Sequence, residues 1–132
     1  MQPENGQAGD AAHWLLHAES DLALAKTRDN PDILPETLCF HAQQTAEKAL
    51  KAVFVYKKID FPRTHNIKTL VDLLALTISI PENIHEAGSL TEYAVETRYP
   101  GDYETITHEE YLEAIQLAEE VLSWAKTIVG DD

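Results

Sequence analysis

The segment from Arg98 to Tyr103 holds the residues best suited to bind an anion. Pro100 disfavours helical backbone at the residue before it and Gly101 permits positive φ, so the chain must turn sharply after Arg98. A guanidinium held at a helix end presents a planar fork that suits phosphate oxygens, and Asp102 and Tyr103 add polar groups beside it. Arg98 could instead cap the last carbonyl groups of its own helix. Local chemistry leaves both interpretations open.

Histidine side chains are the usual candidates for proton transfer, and the chain has six. His65 ends a basic stretch and precedes a turn, so it is either a turn residue or a phosphate ligand. His108 lies in the first turn of a predicted helix, where the helix dipole favours the neutral ring that a general base requires. His13 and His17 have the i, i+4 spacing of a metal-binding pair, but Trp14 stands where the H-E-x-x-H motif has glutamate. We therefore predict solvated histidines there, with no metal and no cofactor.

Six of the ten lysine and arginine residues fall between positions 48 and 68, where Asp60 is the only acidic residue. They are Lys48, Lys51, Lys57, Lys58, Arg63 and Lys68. A solvated helix face explains such lysines, and a phosphate site explains why an acidic chain collects its cations in one place. Lys51 also follows Glu47 by four residues, in the favourable order for a surface ion pair. Gln43 and Glu47 flank the apolar stripe of this helix, which would aim them at a partner subunit or a ligand.

The formal net charge of −13 opposes long-range attraction to RNA or DNA. Apolar residues make up 44% of the chain and are dispersed among charges, which predicts neither a disordered protein nor a membrane span. Cys39 is the only cysteine, so no intrachain disulfide can form, as in the reducing cytoplasm. We expect a cytoplasmic domain over residues 10–132, preceded by a flexible tail at residues 1–9.

Apolar spacing and capping signals predict five helices, and strand signals are nearly absent. The predicted helices cover residues 10–28, 35–57, 67–76, 82–97 and 107–130. Pro35 suits a first helical turn, Asn66 suits an N-cap, and Thr107 opens a capping box. Tyr56 falls on the apolar stripe of the second helix, and Gly88 is a weak point in the fourth. Long helices joined by short turns predict an all-α, antiparallel up-and-down bundle of about five helices.

Several short motifs occur in an order that resembles a known family. Trp14 and Asp21 on the first helix precede A-E-K-A-L-K-A at residues 46–52, T-H-N at residues 64–66 and R-Y-P at residues 98–100. Together they resemble the HEPN domain family, the higher eukaryotes and prokaryotes nucleotide-binding domains, over about residues 10 to 130.

The resemblance implies a bundle of about five helices that usually forms a homodimer and is often encoded beside a minimal nucleotidyltransferase. Many members are metal-independent ribonucleases with an Arg-x(4–6)-His motif at the dimer cleft. Arg98 matches the arginine, but Tyr103 stands where the shortest spacing places the histidine, and His108 lies ten residues after Arg98. In a related group of HEPN toxins a tyrosine after the arginine receives a nucleotide from the partner enzyme, and Tyr103 resembles that tyrosine.

The leading prediction is a dimeric binding module of a toxin–antitoxin-like system that holds an ATP-like nucleotide or docks a minimal nucleotidyltransferase. Its expected phosphate ligands are Arg98, Lys51 and His65, with Tyr103 and Asp102 as nucleotide acceptor or polar groups. The alternative is a ribonuclease in which His108 replaces the missing histidine, although the net charge disfavours RNA. A third hypothesis is a structural dimerising subunit in which Arg98 only caps its helix.

Overall fold

The computed structural model describes residues 8–94 and 105–130, and every regular element within these ranges is helical. The α-helices are α1 Ala8–Ala25, α2 Pro35–Lys57, α3 Ile67–Ala75, α4 Glu82–Glu86 and α5 His108–Val129, and a 3-10 segment, Ala87–Tyr93, follows α4. The predicted all-α bundle is therefore confirmed. No helix in the described ranges is both long and apolar enough to cross a membrane. Residues 1–7 of the predicted tail, and Arg98, Asp102 and Tyr103, lie outside the described residues.

Local capping chemistry sets the ends of α3 and α5. The Asn66 side chain accepts a hydrogen bond from the backbone N–H of Thr69 at 2.9 Å and so caps α3. At the start of α5, the Thr107 hydroxyl accepts from the backbone N–H of Glu110 at 3.0 Å, and the Glu110 carboxylate accepts from the Thr107 N–H at 2.8 Å. Gly130 ends α5 with a φ of 78°. These three capping predictions are confirmed.

Helix α1 begins and ends earlier than predicted. It covers Ala8–Ala25, so Asp10 lies inside the first turn and is not the N-cap. At the other end, the Thr27 backbone N–H and hydroxyl both donate to the Leu24 carbonyl, at 3.1 and 2.7 Å. These i to i−3 bonds form a tight turn, and the helix therefore stops before Arg28.

The fourth predicted helix, residues 82–97, is wrong as a continuous α-helix. Only Glu82–Glu86 is α-helical, and Ala87–Tyr93 continues with 3-10 geometry. The buried side chains of this stretch are spaced by three residues: Ile84, Ala87, Leu90 and Tyr93. A 3-10 helix has three residues per turn and aligns such a series on one face, whereas an α-helix would rotate it away. Gly88 also lowers the α-helical preference.

The three long helices are arranged with α1 antiparallel to both α2 and α5. Residues late in α1 contact early residues of the other two helices, and residues early in α1 contact late ones. The pairs are Trp14 with Lys51 and Asp21 with His41 between α1 and α2, and Glu19 with Lys126 and Lys26 with Glu119 between α1 and α5. Helix α2 therefore runs parallel to α5, so both helices begin at the same end of the bundle.

Helix α2 is the most enclosed element and supplies much of the core. Its buried side chains point in several directions and include Leu38, Leu50 and Phe54. Tyr56 is 42% exposed, so its predicted place on the apolar stripe is wrong. Residues 52–55 are all buried in the turn before it, which shows that the core surrounds this helix and does not follow one narrow stripe.

Candidate functional site

A buried carboxylate, Glu47, lies at the centre of a polar network on α2. Its side chain is only 4% exposed. One oxygen, Oε2, accepts from the Lys51 ammonium at 2.7 Å. The other, Oε1, accepts from His65 Nδ1 at 3.0 Å and from Gln43 Nε2 at 3.1 Å. The structure thus brings together Lys51 and His65, two of the predicted phosphate ligands, through Glu47, which the sequence places beside the apolar stripe of α2.

Gln43 extends this network to the backbone before α3. Its amide nitrogen also donates to the carbonyl oxygen of His65 at 2.8 Å, and the side chain is fully buried. The expectation that Gln43 and Glu47 face a partner subunit or a ligand is therefore wrong. Both side chains are buried within this chain because the turn before α3 folds over them.

The Lys51 ammonium is enclosed by aromatic rings as well as by Glu47. It lies 5.6 Å from the ring centre of Trp14 on α1 and 5.5 Å from that of Phe61. These are cation–π distances, and the Lys51 side chain is only 13% exposed. Lys51 is thus held as the counter-ion of Glu47, whereas the His65 side chain is 69% exposed and accessible to a ligand.

A second carboxylate, Asp21 on α1, binds the same kinds of side chain as Glu47. It lies seven residues, about two turns, after Trp14, the α1 residue that contacts Lys51. Its side chain is 13% exposed and its two oxygens accept from His41 Nδ1 at 2.9 Å and from Lys48 Nζ at 2.7 Å. Each buried carboxylate therefore binds one histidine and one lysine. Lys48 and Lys51 were interpreted as part of a solvated basic face, which is wrong for these two residues because α1 packs against that face. Lys57, Lys58, Arg63 and Lys68 are exposed, as that interpretation expects.

The network determines the charge state of Glu47. Burial by itself raises the pKa of this carboxyl group, but the hydrogen bond and charge of Lys51, together with hydrogen bonds from His65 and Gln43, outweigh burial. The net effect lowers the pKa below its ordinary value. Glu47 is therefore an ionised structural group at neutral pH, and a role as a general acid is excluded.

His108 lies in a different cluster at the start of α5. Its Nδ1 is in hydrogen-bond contact with the guanidinium of Arg28, and its ring stacks on Tyr111 with 6.5 Å between centroids. Arg28 also covers the Tyr111 ring at 5.1 Å, and the Tyr111 hydroxyl donates to the Ala25 carbonyl at 2.7 Å. Because a guanidinium only donates, Nδ1 accepts and the neutral ring carries its proton on Nε2. In this arrangement Nε2 carries a hydrogen that can be donated and has no free lone pair.

The two clusters are attached to different ends of α1. Trp14 contacts Lys51, and Ala25 contacts Tyr111. Eleven residues of α-helix separate these anchor points, roughly 16 Å along the axis. Lys51 and His65 therefore form one candidate site and His108 belongs to another. Arg28 had no signal in the sequence, since its partner His108 lies 80 residues later in the chain.

The all-α bundle matches a known protein family. The sequence model described as HEPN domain matches residues 11–128, nearly the whole chain. The chain belongs to the HEPN domain family, and the predicted resemblance is confirmed.

Related proteins agree with this assignment. A Methanocaldococcus jannaschii protein named "Putative toxin MJ1304" is 30% identical over 134 residues, covering 89% of this chain and 87% of that protein. The crystal structure of TT1696 from Thermus thermophilus is similar with a TM-score of 0.77 and 30% identity, covering 89% of this chain and 97% of that one. The structure of ST0689, an archaeal HEPN homologue, is similar with a TM-score of 0.71 and 26% identity, over 90% and 97% of the two chains.

The Glu47 network predicts a defined response to acid. Glu47→Gln should lower the free energy of unfolding by up to about 3 kcal/mol at pH 7, because the enclosed Lys51 ammonium loses its counter-ion. Since the folded-state pKa of Glu47 lies below its ordinary value of 4.5, the stabilisation is present above that pH and is lost as the pH falls through the folded-state pKa. Urea unfolding at several pH values between about 6 and 3 measures this effect.

The matched control is Glu113→Gln, which removes an exposed carboxylate from α5. We expect this variant to keep the acid response of the wild type, whereas Glu47→Gln should respond less steeply. Equal slopes for the wild type and Glu47→Gln would contradict the ionised, network-bound state of Glu47.

Proposed function

We propose that this chain is the HEPN module of a toxin–antitoxin-like system, in which it binds a nucleotide through its phosphates and docks a minimal nucleotidyltransferase. Family membership and the 30% identity to a protein named as a toxin support the system-level part of this proposal. The observation that carries the site is the convergence of Lys51 and His65 on the buried carboxylate of Glu47. We further propose a homodimer that acts in the cytoplasm, where ATP is available.

Because Lys51 neutralises the negative charge of Glu47, the carboxylate repels a phosphate near His65 less strongly. Lys51 compensates the carboxylate, so the buried pair carries no net charge. His65 donates Nδ1–H to Glu47, and a protonated ring would then add one positive charge with Nε2–H as a second donor. The exposed cation Arg63, close to it in sequence, adds to the local positive potential on an otherwise acidic protein, whereas Lys68 is paired with Asp72 at 2.8 Å.

Arg98 completes the site in this proposal. Its guanidinium would bind phosphate oxygens in a bidentate manner, with His65 as a direct ligand and Lys51 acting through Glu47. Asp102 and Tyr103 would supply polar groups on the same turn. This assignment for Arg98, Asp102 and Tyr103 rests on the sequence and the family resemblance.

The first test is nucleotide binding. We expect ATP to bind the wild-type chain and Arg98→Ala to weaken binding about tenfold or more, since a charge-assisted hydrogen bond contributes about 1.5 to 3 kcal/mol. His65→Ala should weaken binding as well. Isothermal titration calorimetry measures both dissociation constants.

Arg28→Ala is the control for this titration because Arg28 belongs to the His108 cluster. It should retain the wild-type affinity. If Arg98→Ala binds ATP as tightly as the wild type, Arg98 is a structural cap and the proposed site is wrong.

The second test concerns Tyr103 as a nucleotide acceptor. In the proposed reaction the Tyr103 oxygen attacks the α-phosphorus of ATP on the nucleotidyltransferase. An O–P bond forms, the bond to pyrophosphate breaks, and the phenol proton passes to a base of the partner enzyme. We expect intact-mass spectrometry to show one added adenylyl group on the wild type after incubation with a minimal nucleotidyltransferase and ATP.

Tyr103→Phe should remain unmodified, and Tyr56→Phe, which changes an exposed tyrosine on α2, should be modified like the wild type. Transfer of the same mass to Tyr103→Phe would exclude Tyr103 as the acceptor. Copurification of the two proteins without transfer would support docking alone.

The contact between Arg28 and His108 favours RNA cleavage as the second candidate function. A neutral His108 ring can act only as a base: it would take the proton of the 2′ hydroxyl as the 2′ oxygen attacks phosphorus, the bond to the 5′ oxygen would break, and water would protonate that oxygen. Action as a base through Nδ1 would require release from Arg28. For this function to hold, purified protein must cut RNA in the presence of a chelator, and His108→Ala must abolish the cleavage. Cleavage at an unchanged rate would remove His108 from the mechanism.

A further inference from the structure

Two histidines on the exposed face of α1 converge on one point. His13 and His17 are one turn apart, and their Nε2 atoms lie 3.1 Å from each other with ring centroids 4.7 Å apart. Two imidazole nitrogens bound to one cation at about 2.0 to 2.1 Å are separated by about 2.9 to 3.4 Å, for ligand angles between 90° and tetrahedral. The observed separation falls inside that range. In the absence of a metal the same contact is a hydrogen bond between the two rings, so a metal would displace the shared proton and use a nitrogen spacing that already suits chelation.

The pair opens into a cleft of about 350 Å³ on the same side of the helix. The cleft is lined by Asp10, His13, Trp14, His17 and Lys48. Asp10 precedes His13 by three residues and therefore shares its helix face. Its Oδ2 is buried and is the one side-chain polar atom in the described ranges that is buried without a hydrogen-bond partner. A buried carboxylate oxygen without a partner is costly, and a bound cation would satisfy it.

The electrostatic surroundings permit a cation in this cleft. Lys48 is the positive group in the lining, and its ammonium is bound to Asp21 Oδ2 at 2.7 Å, which neutralises it. The chain as a whole carries a formal charge of −13, which raises the local concentration of cations.

We propose that His13 and His17 chelate a divalent transition-metal cation of the zinc, nickel and copper class, with the Asp10 carboxylate as the third ligand. Imidazole nitrogen donors select this class over magnesium and calcium. Within the described ranges no three histidine, cysteine, aspartate or glutamate side chains are grouped around one metal position. The Asp10 side chain must therefore turn toward the imidazoles when the metal binds. The two Nε2 atoms form the prearranged part of the site, and solvent completes the coordination. The bound ion would link the first three turns of α1.

The sequence predicts two solvated histidines without a metal, and both side chains are exposed, so a bound metal is the addition that this proposal makes. The glutamate of H-E-x-x-H, absent here because Trp14 occupies its position, serves catalysis in that motif and is not a metal ligand. Its absence therefore leaves the chelating pair intact. The site is independent of the nucleotide site proposed at His65 and Arg98, and no step of that function depends on it.

Titration of zinc chloride into the untagged, chelator-treated full chain tests the site. We expect one zinc ion per chain and at least about a tenfold loss of affinity in the double variant His13→Gln/His17→Gln, since even the loss of an outer-shell partner typically costs 10- to 100-fold. His85→Gln, which removes an isolated exposed histidine from α4, is the matched control and should bind like the wild type. Circular dichroism verifies that the variants fold. Equal affinity in the double variant, or absence of binding to the wild type, would overturn the site.

Trp14 supplies a second, local readout. Copper(II) quenches nearby indole fluorescence, and Trp14 lines the cleft whereas Trp124 lies on α5 in a different cleft. Stoichiometric copper should therefore quench the wild type strongly and Trp14→Phe only weakly. Strong quenching that persists in Trp14→Phe would place the metal elsewhere. Asp10→Asn should weaken zinc binding, and an unchanged affinity would remove Asp10 from the ligand set.

Discussion

The buried carboxylate of Glu47 joins three parts of the chain through one polar network. It binds Lys51 on its own helix and His65 in the turn before α3, and Lys51 in turn contacts Trp14 on α1. A carboxylate that is 4% exposed is costly without partners, so the packing of α1 and the position of the turn must both preserve these bonds. The site geometry around His65 follows from that requirement.

The repetition of this arrangement at Asp21 gives α1 and α2 a specific register. Asp21 on α1 binds both His41 and Lys48 on α2, and the partners lie seven residues apart on the same face. A slide of one helix by a turn would leave the side chains of Asp21, His41 and Lys48 partly buried without these partners. Apolar packing between two helices tolerates several registers, whereas paired buried charges tolerate few. Polar groups thus select among arrangements that the hydrophobic effect permits.

Much of the fold could be predicted from the sequence because the signals are local. Pro35 at the start of α2, the Asn66 cap and the Thr107 capping box act over at most four residues, and each is observed where it was predicted. The error in the fourth helix has the same origin. A three-residue spacing of Ile84, Ala87 and Leu90 fits one face of a short α-helix nearly as well as a 3-10 helix, and the pattern cannot separate them.

The candidate site was predictable only in part. The i, i+4 spacing indicated the pair of Glu47 and Lys51, but not that the pair is buried, because burial depends on where α1 and the turn at His65 pack. The contact of Arg28 with His108 spans 80 residues and has no local signature.

The sequence by itself determined the helical class, most helix ends, the acidic character of the chain and the HEPN family, since these depend on composition and on neighbours within a turn or a short motif. Only the tertiary structure decided which polar residues are enclosed and which remain available to a ligand. Lys51 is the enclosed counter-ion of Glu47, Gln43 is buried, and His65 is exposed. Contacts between distant parts of the chain decide which side chains lose water, and loss of water decides whether a charged side chain can bind a ligand.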